Sequence, residues 1–215
     1  MKLFVALLLV CMLGVGALYA QTDGFTVVTT EAARRDSVAR HPRALPDAAL
    51  TFASGRRDGL LDALHTDGRV TIVNFIYTRC VSLCLVMGSE FQQMQAAIAQ
   101  HGLEHRVRLL SISFDPADTP DELAVYARSQ HADPQVWQFA RVADSLGRRA
   151  LLAAFGIVVV PAPLGQYVHN AAYHIVAPDG RLTRIVDYNE PQTVLPLAQA
   201  QTRTEAPAAT AARQP

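Results

Sequence analysis

The sequence predicts an α/β fold in which helices flank a mixed β-sheet. Three observations predict it. Apolar strands alternate with amphipathic helices along the chain, a Pro-Asp-Gly turn near the C-terminus marks a β-hairpin, and two cysteines stand where the first strong strand gives way to a helix. Thiols at the first strand–helix junction make the predicted fold thioredoxin-like, with an N-terminal extension and a β-hairpin insertion.

The composition is that of one globular domain with additional segments at both ends. Of 215 residues, 50% are hydrophobic and 18% are charged, and 19 Lys plus Arg balance 19 Asp plus Glu. This balance provides no basic excess for nucleic acid and no acidic tail for a cationic partner. We expect a targeting segment at 1–20, an extension at 21–49, the thioredoxin-like domain at 50–202 and a disordered tail at 203–215.

Residues 3–20 follow Lys2 and carry no charge, which is the pattern of an export signal. An apolar stretch of this length can also cross a bilayer as a helix. We therefore expect a periplasmic protein, or one anchored to the inner membrane and facing the periplasm. Cys11 lies within this segment, so Cys80 and Cys84 are the only pair left for an oxidising compartment.

The first half of the domain is expected to alternate helices and strands. Prolines and glycines end the helices, and the strands are unbroken apolar runs, as in a buried parallel sheet. The expected elements are a helix at 31–40, a short helix at 59–65, a strand at 70–77, a helix at 85–100 and a strand at 107–114.

The second half continues this alternation and ends in a hairpin. Pro120 with acids behind it starts a helix, Asp144 or Ser145 caps the next one, and Gly156 ends it. The expected elements are a helix from 118–120 to 129, a short edge strand at 136–142, a helix at 145–155, a β segment at 157–160, one strand at 167–177, its hairpin partner at 182–186 and a helix at 193–201.

Cys80 and Cys84 carry the chemistry that the sequence suggests. At the start of a helix, unpaired N–H groups and a partial positive charge favour thiolate over thiol at Cys80. Helical spacing places both sulfurs on one face, which suits a disulfide and a two-thiolate metal site equally well. A structural disulfide is the plainer alternative, but such links usually join distant segments of a chain.

The cysteine spacing leaves space for a third ligand. Redox-only sites normally have two residues between the cysteines, whereas this chain has three. Thiolates select Cu(I) and imidazole suits both copper states, so a histidine is the expected third ligand. His169 and His174 lie on the strand expected at 167–177 and point to opposite faces, so only one of them can face the thiols. Periodicity does not choose between them, and a lone strand histidine is more often structural.

Three sequence blocks resemble the Sco (SenC-like) copper-binding proteins, which have a thioredoxin fold. The resemblance covers roughly 52–188, and the blocks are Phe75-Ile-Tyr-Thr-Arg-Cys80-x-x-x-Cys84, Ser111-Ile-Ser-Phe-Asp-Pro116-Ala-Asp-Thr-Pro120, and Val168-His169 followed by Pro178-Asp-Gly180. The resemblance implies that His169, rather than His174, completes a copper site with Cys80 and Cys84.

The chain departs from the family pattern directly after each cysteine. The family usually has proline there, and this chain has Val81 and Leu85. Because proline stiffens the chain and removes an N–H donor, we expect a freer loop whose thiolates accept extra backbone hydrogen bonds. The redox potential and the copper affinity are therefore expected to differ from those of family members with the prolines, while the ligand set is expected to be the same.

The resemblance implies an exported metallochaperone that helps to assemble the copper site of a respiratory cytochrome c oxidase. Cu(I) or Cu(II) is its implied ligand, and the copper-accepting subunit of the oxidase is its implied partner. The alternative is a thiol–disulfide reductase that keeps the acceptor's cysteines reduced, with Cys80 and Cys84 as the catalytic pair and thiol reductant proteins as partners. Neither interpretation makes the chain a classical enzyme beyond thiol–disulfide exchange.

Two further interpretations carry less weight. A peroxidase of related fold needs a threonine and an arginine around one attacking cysteine, but Thr78 and Arg79 are adjacent and point in different directions along a strand. Asp115, Asp118 and Thr119 resemble catalytic groups, yet their setting favours a turn and a helix cap.

Overall fold

The structure, a computed structural model, describes residues 2–21, 29–80 and 83–211, in two compact units, 1–41 and 42–215. The first unit contains α1 (Lys2–Gln21) and α2 (Thr30–Arg40). In α1, the window Leu3–Ala20 has a mean hydropathy of 2.5 and is long and apolar enough to cross a membrane. The Thr29 hydroxyl caps α2 by accepting the Ala32 N–H at 3.0 Å, which confirms the helix predicted there.

The second unit contains five α-helices, one short 3-10 helix (Pro163–Gly165) and ten strands within the described residues. Its helices are α3 (Leu60–Asp67), α4 (Leu83–Gln100), α5 (Pro120–Ser129), α6 (Ser145–Phe155) and α7 (Pro191–Ala211). Its strands are β1 (Arg43–Ala44), β2 (Ala49–Phe52), β3 (Arg57–Gly59), β4 (Val70–Ile76), β5 (Val107–Ser113), β6 (Trp137–Val142), β7 (Val159–Ala162), β8 (Gln166–His169), β9 (Ala172–Val176) and β10 (Arg181–Asp187).

Eight of these strands form one mixed sheet in the order β1-β10-β9-β4-β5-β6-β2-β3, and β7 pairs with β8 separately. The three central strands β4, β5 and β6 are parallel to one another, and the outer pairings are antiparallel. The helices and the mixed sheet confirm the α/β fold class predicted from hydrophobic periodicity.

The parallel pair of β4 and β5 positions the candidate site. Every residue of both strands is buried, as expected from their unbroken apolar runs. The strands run in register from Val70 opposite Val107 to Ile76 opposite Ser113. Their carboxyl ends therefore meet at one edge of the sheet, where the cysteine block and the aspartate block both follow.

The predicted edge strand at 136–142 is in fact internal. β6 lies between β5 and β2, because 49–59 forms the hairpin β2–β3 and adds two strands outside it. These strands have four and three residues, too few to give a periodic signal. β1 also joins the sheet, so part of the predicted extension at 21–49 belongs to the sheet.

The single strand predicted at 167–177 is two strands. β8 pairs only with β7 among the described strands, whereas β9 lies between β4 and β10 in the main sheet. The chain leaves one sheet and enters the other at Asn170 and Ala171. His169 and His174 therefore do not lie on opposite faces of one strand, as predicted, because they belong to different sheets.

The C-terminal helix is longer than predicted. α7 continues to Ala211, through most of the segment at 203–215 for which we predicted disorder. Alanine has the highest helix propensity, so the Ala-rich composition continues the helix despite its prolines and threonines. Residues 212–215 lie outside the described residues.

Candidate metal centre

Cys80 and Cys84 lie at the start of α4 and are both buried, with 5% and 1% of their surface exposed. The Cys84 N–H, in the first turn of the helix, donates to the Cys80 sulfur at 3.4 Å. The Cys80 N–H donates to the Tyr77 carbonyl at 3.2 Å, which closes the turn after β4. A helix N-terminal N–H directed at sulfur stabilises a thiolate at Cys80.

The two thiols differ in their tendency to ionise. No disulfide joins them in this structure. The hydrogen bond with Cys80 raises the pKa of the Cys84 thiol, and burial and the negative charge of Cys80 raise it further. The Cys84 sulfur therefore favours the protonated form, whereas the Cys84 N–H directed at the Cys80 sulfur favours a thiolate there.

Asp118 fixes the chain just before the cysteines. Its carboxylate, 1% exposed, accepts the Thr78 N–H at 2.9 Å, the Thr78 hydroxyl at 2.6 Å and the Ser113 hydroxyl at 2.5 Å. The helix cap expected in this block is provided by Thr119, which forms a capping box with Glu122. Asp118 instead connects β5 to the loop of the cysteine block.

Asp115 makes a second connection between the same two blocks. Its buried carboxylate accepts from the Arg79 guanidinium at 2.7 Å, the Ala117 N–H at 2.9 Å and the Tyr167 hydroxyl at 3.3 Å. Arg79 and Thr78 lie in the loop after β4, beyond the strand predicted at 70–77, and both are bound to carboxylates. The expected turn role of Asp115 is present, together with an ion pair that the sequence pattern did not predict.

Tyr77 joins the cysteine block to the hairpin β7–β8. Its hydroxyl donates to the Gln166 side chain at 3.0 Å and accepts the Tyr167 N–H at 3.4 Å. Its ring packs edge-on against Tyr167, with centroids 5.2 Å apart. Burial raises the pKa of Tyr77, and the nearby Cys80 sulfur raises it further. The Tyr77 hydroxyl therefore lies between the thiol loop and the hairpin.

His169 lies on β8 and packs on the same aromatic cluster. Its ring is 4.9 Å from the Phe114 ring and 6.2 Å from the Tyr77 ring, centroid to centroid. Its Nδ1 lies 2.9 Å from the Asn170 carbonyl oxygen. A carbonyl oxygen only accepts, so Nδ1 carries the proton and Nε2 keeps a lone pair for a metal.

His174 belongs to the core. It is fully buried on β9, and its ring lies 4.9 Å from Phe155 and 5.9 Å from Phe75. Both contacts are edge-to-face, as aromatic rings prefer. The structure thus separates the two histidines that the sequence pattern left as alternatives.

The three predicted ligands are not assembled into one cluster in this structure. Over residues 2–21, 29–80 and 83–211, no three His, Cys, Asp or Glu side chains lie close enough together to hold a metal ion. Cys80 and His169 both neighbour Tyr77, which places them on the same side of the molecule. Val81, where the family has proline, lies outside the described residues.

A small surface cavity of about 380 Å³ adjoins the thiol loop. It is lined by Thr78, Asp121, Glu122, Val125, Tyr126 and Ser129. Burial raises the pKa of Tyr126, and the charges of the two cysteines raise it further. Its hydroxyl is buried and has no hydrogen-bond partner within the part of the chain that the structure describes.

Several residues that shape the site are not predicted by the sequence pattern. Tyr77 appeared only as the end of an apolar strand, and Gln166, Tyr167 and Asn170 appeared as loop or strand residues without a role. The repeated occurrence of polar side chains beside the three blocks is the only signal that points to them. Their partners are distant in sequence, such as Tyr77 and Gln166, so no local pattern reveals the pairing.

Comparison with known proteins places the same segments in one family. The family model described as SCO1/SenC matches residues 53–202. The SCO1 protein homolog of Bacillus subtilis (strain 168) is 28% identical over 142 residues, which cover 64% of this chain and 72% of the homolog.

Solved structures show the same fold. BsSco, described as a member of the Sco family of cytochrome c oxidase assembly proteins with a disulfide switch, has a TM-score of 0.63 at 22% identity and covers 75% of this chain and 95% of its own. Arabidopsis thaliana ScoI with copper bound has a TM-score of 0.64 at 15% identity, and the match covers 75% of this chain and 99% of the ScoI chain. These likenesses confirm the thioredoxin-like fold.

Proposed function

This chain belongs to the SCO1/SenC family, and from that membership we propose that it binds copper and helps to assemble the copper site of a respiratory cytochrome c oxidase. The ligands in this proposal are the Cys80 and Cys84 thiolates and the His169 imidazole. One observation carries it: the three sequence blocks meet at Tyr77, which neighbours Cys80 of the first block, Phe114 of the second and His169 of the third.

The donor set suits copper, and the copper-bound Sco structures favour copper over zinc, which accepts the same ligand types. Two thiolates select Cu(I), and imidazole serves both copper oxidation states. The orientation of His169 supports its role, because the bond from Nδ1 to the Asn170 carbonyl leaves Nε2 available. Metal-binding histidines usually donate their other ring N–H in this way.

Binding has to bring His169 onto the sulfurs. The hairpin β7–β8 is a separate two-stranded sheet held at its base by Asn170, so it can pivot about that base without breaking a pairing of the main sheet. Each of its links to the cysteine and aspartate blocks includes a side chain: Tyr77 bonds to Gln166, Gln166 to the Arg79 carbonyl, and Tyr167 to Asp115. Copper binding also displaces the proton that Cys84 retains.

Copper is cargo in this proposal, and it leaves by ligand exchange. The cysteines are buried, whereas His169 lies on an exposed hairpin and is partly accessible. A partner that approaches from outside therefore meets His169 first and replaces it before it replaces the sulfurs. The proposed partner is the copper-accepting subunit of the oxidase.

The proposed location follows from the N-terminal helix. The window Leu3–Ala20 is compatible with a signal or an anchor. We place the copper-binding domain at 50–202 on the periplasmic side, the compartment in which a close cysteine pair can cycle between thiol and disulfide.

Cu(I) reconstitution followed by X-ray absorption tests the proposal. The reduced wild-type protein is expected to bind one Cu(I) with two sulfur scatterers and one nitrogen scatterer. His169→Ala is expected to lose the nitrogen scatterer, while the exposed control His105→Ala keeps it. A spectrum that His169→Ala leaves unchanged refutes the three-ligand site.

The unequal thiols favour a second function, thiol–disulfide reduction of the acceptor's cysteines. The Cys80 thiolate attacks one sulfur of the partner's disulfide, and the other partner sulfur leaves as a thiolate and takes up a proton. Cys84, losing its proton, then attacks Cys80 and releases the second partner thiol. Two electrons pass to the partner, Cys80 and Cys84 become a disulfide, and a thiol reductant protein restores them.

Trapping tests this second function. Cys84→Ser is expected to accumulate a mixed disulfide between Cys80 and the acceptor, whereas Cys80→Ser accumulates none. A reduction potential of the pair far below that of any reducing partner contradicts the function, because the disulfide could then not be recycled.

A further inference from the structure

We propose that Asn170 is the positioning residue of the metal site, setting both the place and the tautomer of His169. This inference rests on the proposed function. Asn170 lies between β8 and β9, where the chain passes from the hairpin to the main sheet. Its main chain and its side chain act on two different parts of the site.

The side chain of Asn170 closes the base of the hairpin. Its Oδ1 accepts the Val158 N–H at 2.7 Å, and its Nδ2 donates to the Gly156 carbonyl at 2.9 Å. In the hairpin register, Val159 lies opposite His169, so Asn170 stands one position beyond the last backbone pair. The Asn170 side-chain amide therefore adds two hydrogen bonds beyond the last backbone pair of the hairpin.

This bond pair ties the hairpin to a rigid part of the domain. Gly156 ends α6 in the left-handed conformation, with φ of 68°, and its N–H bonds back into the helix. Phe155, the preceding residue, is fully buried and packs against Phe75 of β4, with the two ring centroids 5.0 Å apart. Asn170 is thereby fixed relative to the central sheet. The cysteine loop starts from the same sheet.

The main chain of Asn170 acts on the imidazole. Its carbonyl oxygen lies 2.9 Å from His169 Nδ1 and can only accept a hydrogen bond. The protonated nitrogen is then Nδ1, and the nitrogen offered to copper is Nε2. Because the side-chain amide holds the residue, the direction of this carbonyl does not depend on the metal.

The two side-chain hydrogen bonds of Asn170 require asparagine rather than aspartate, which has the same size. The Val158 N–H needs an acceptor and the Gly156 carbonyl needs a donor, and an amide provides one of each. Aspartate has the same size but offers two acceptors, so it sets a carboxylate oxygen against a carbonyl oxygen. Alanine offers neither group.

Nuclear magnetic resonance of the metal-free, reduced protein tests the tautomer directly. With ¹⁵N-labelled imidazoles, the wild-type protein is expected to show His169 protonated at Nδ1. Asn170→Ala and Asn170→Asp are expected to show a mixture of tautomers, whereas Asn189→Ala, in the exposed turn after β10, keeps the wild-type pattern.

Cu(I) competition titrations of the same variants measure the consequence. Loss of a group that orients a ligand typically lowers metal affinity by about 10-fold or more, and we expect this for both Asn170 variants. Unchanged tautomer and affinity in Asn170→Ala overturn the inference, even where the melting temperature falls, because the role is then structural only. A wild-type protein that binds no Cu(I) refutes the proposed function instead, while the tautomer of the metal-free protein still decides the role of Asn170.

Discussion

The Asp118 carboxylate holds Thr78 by two hydrogen bonds, from its backbone N–H at 2.9 Å and from its hydroxyl at 2.6 Å. These residues come from two separate sequence blocks, one after β5 and one after β4. The parallel pairing of the two strands brings them to the same sheet edge. Thr78 stands two residues before Cys80, so the second block sets the direction in which the chain enters the thiol loop.

Replacing Asp118 is expected to destabilise the fold. Asp118→Ala leaves the buried Ser113 hydroxyl and the part-buried Thr78 donors without their acceptor, and an unsatisfied buried donor costs about 1–3 kcal/mol. Urea denaturation measures the loss in the free energy of unfolding. Asp121→Ala, an exposed acid in the first turn of α5, is the matched control and is expected to change little. Equal midpoints for the two variants contradict the role of Asp118.

Replacing the Tyr77 hydroxyl is expected to loosen the hairpin while sparing the core. Tyr77→Phe keeps the buried ring but removes the bonds to Gln166 and to the Tyr167 N–H, at a cost of about 0.5–1.5 kcal/mol per bond. Amide hydrogen exchange is expected to speed up over β7–β8 and not over β4 and β5. Tyr188→Phe, an exposed tyrosine, is the control. Unchanged exchange in the hairpin shows that other contacts hold it.

Replacing His174 and replacing His169 are expected to have different effects on stability. His174→Ala removes a fully buried ring between Phe75 and Phe155 and leaves a cavity, so we expect a loss of about 2–5 kcal/mol of stability. His169→Ala is expected to unfold nearly as the wild type does. Denaturation curves of both variants measure this difference, and the reverse order of stability contradicts the assignment of His174 to the core.

Copper affinity is expected to rise with pH. The hydrogen bond with Cys80 raises the pKa of Cys84, so Cys84 is protonated across the neutral range and copper has to displace that proton. Raising the pH lowers the cost of this displacement, and the apparent affinity gains about tenfold per pH unit for each proton released. Cu(I) competition titrations at several pH values measure the slope. Cys84→Ser is expected to bind more weakly and with a smaller slope, and a flat profile in the wild type contradicts the retained proton.

Local patterns predicted most of the fold. The buried strands β4 and β5 and the helices α4, α5 and α6 follow from apolar runs, periodicity and caps, and the structure confirms them. The errors lie where such signals are short. β2 and β3 are too brief for periodicity, and the break between β8 and β9 at Asn170 has no glycine or proline to mark it.

The sequence by itself determined the chemistry of this protein: two close thiols after a buried strand, a nearby turn with a histidine before it, and an apolar N-terminal segment. These properties depend on residue type and spacing along the chain, which are local. Only the tertiary structure decided which partners these groups meet. Thr78 meets Asp118 because β4 and β5 are parallel neighbours, and His169 leaves His174 because the chain changes sheets between them. Such contacts depend on strand order and register, which arise from the packing of segments far apart in the sequence.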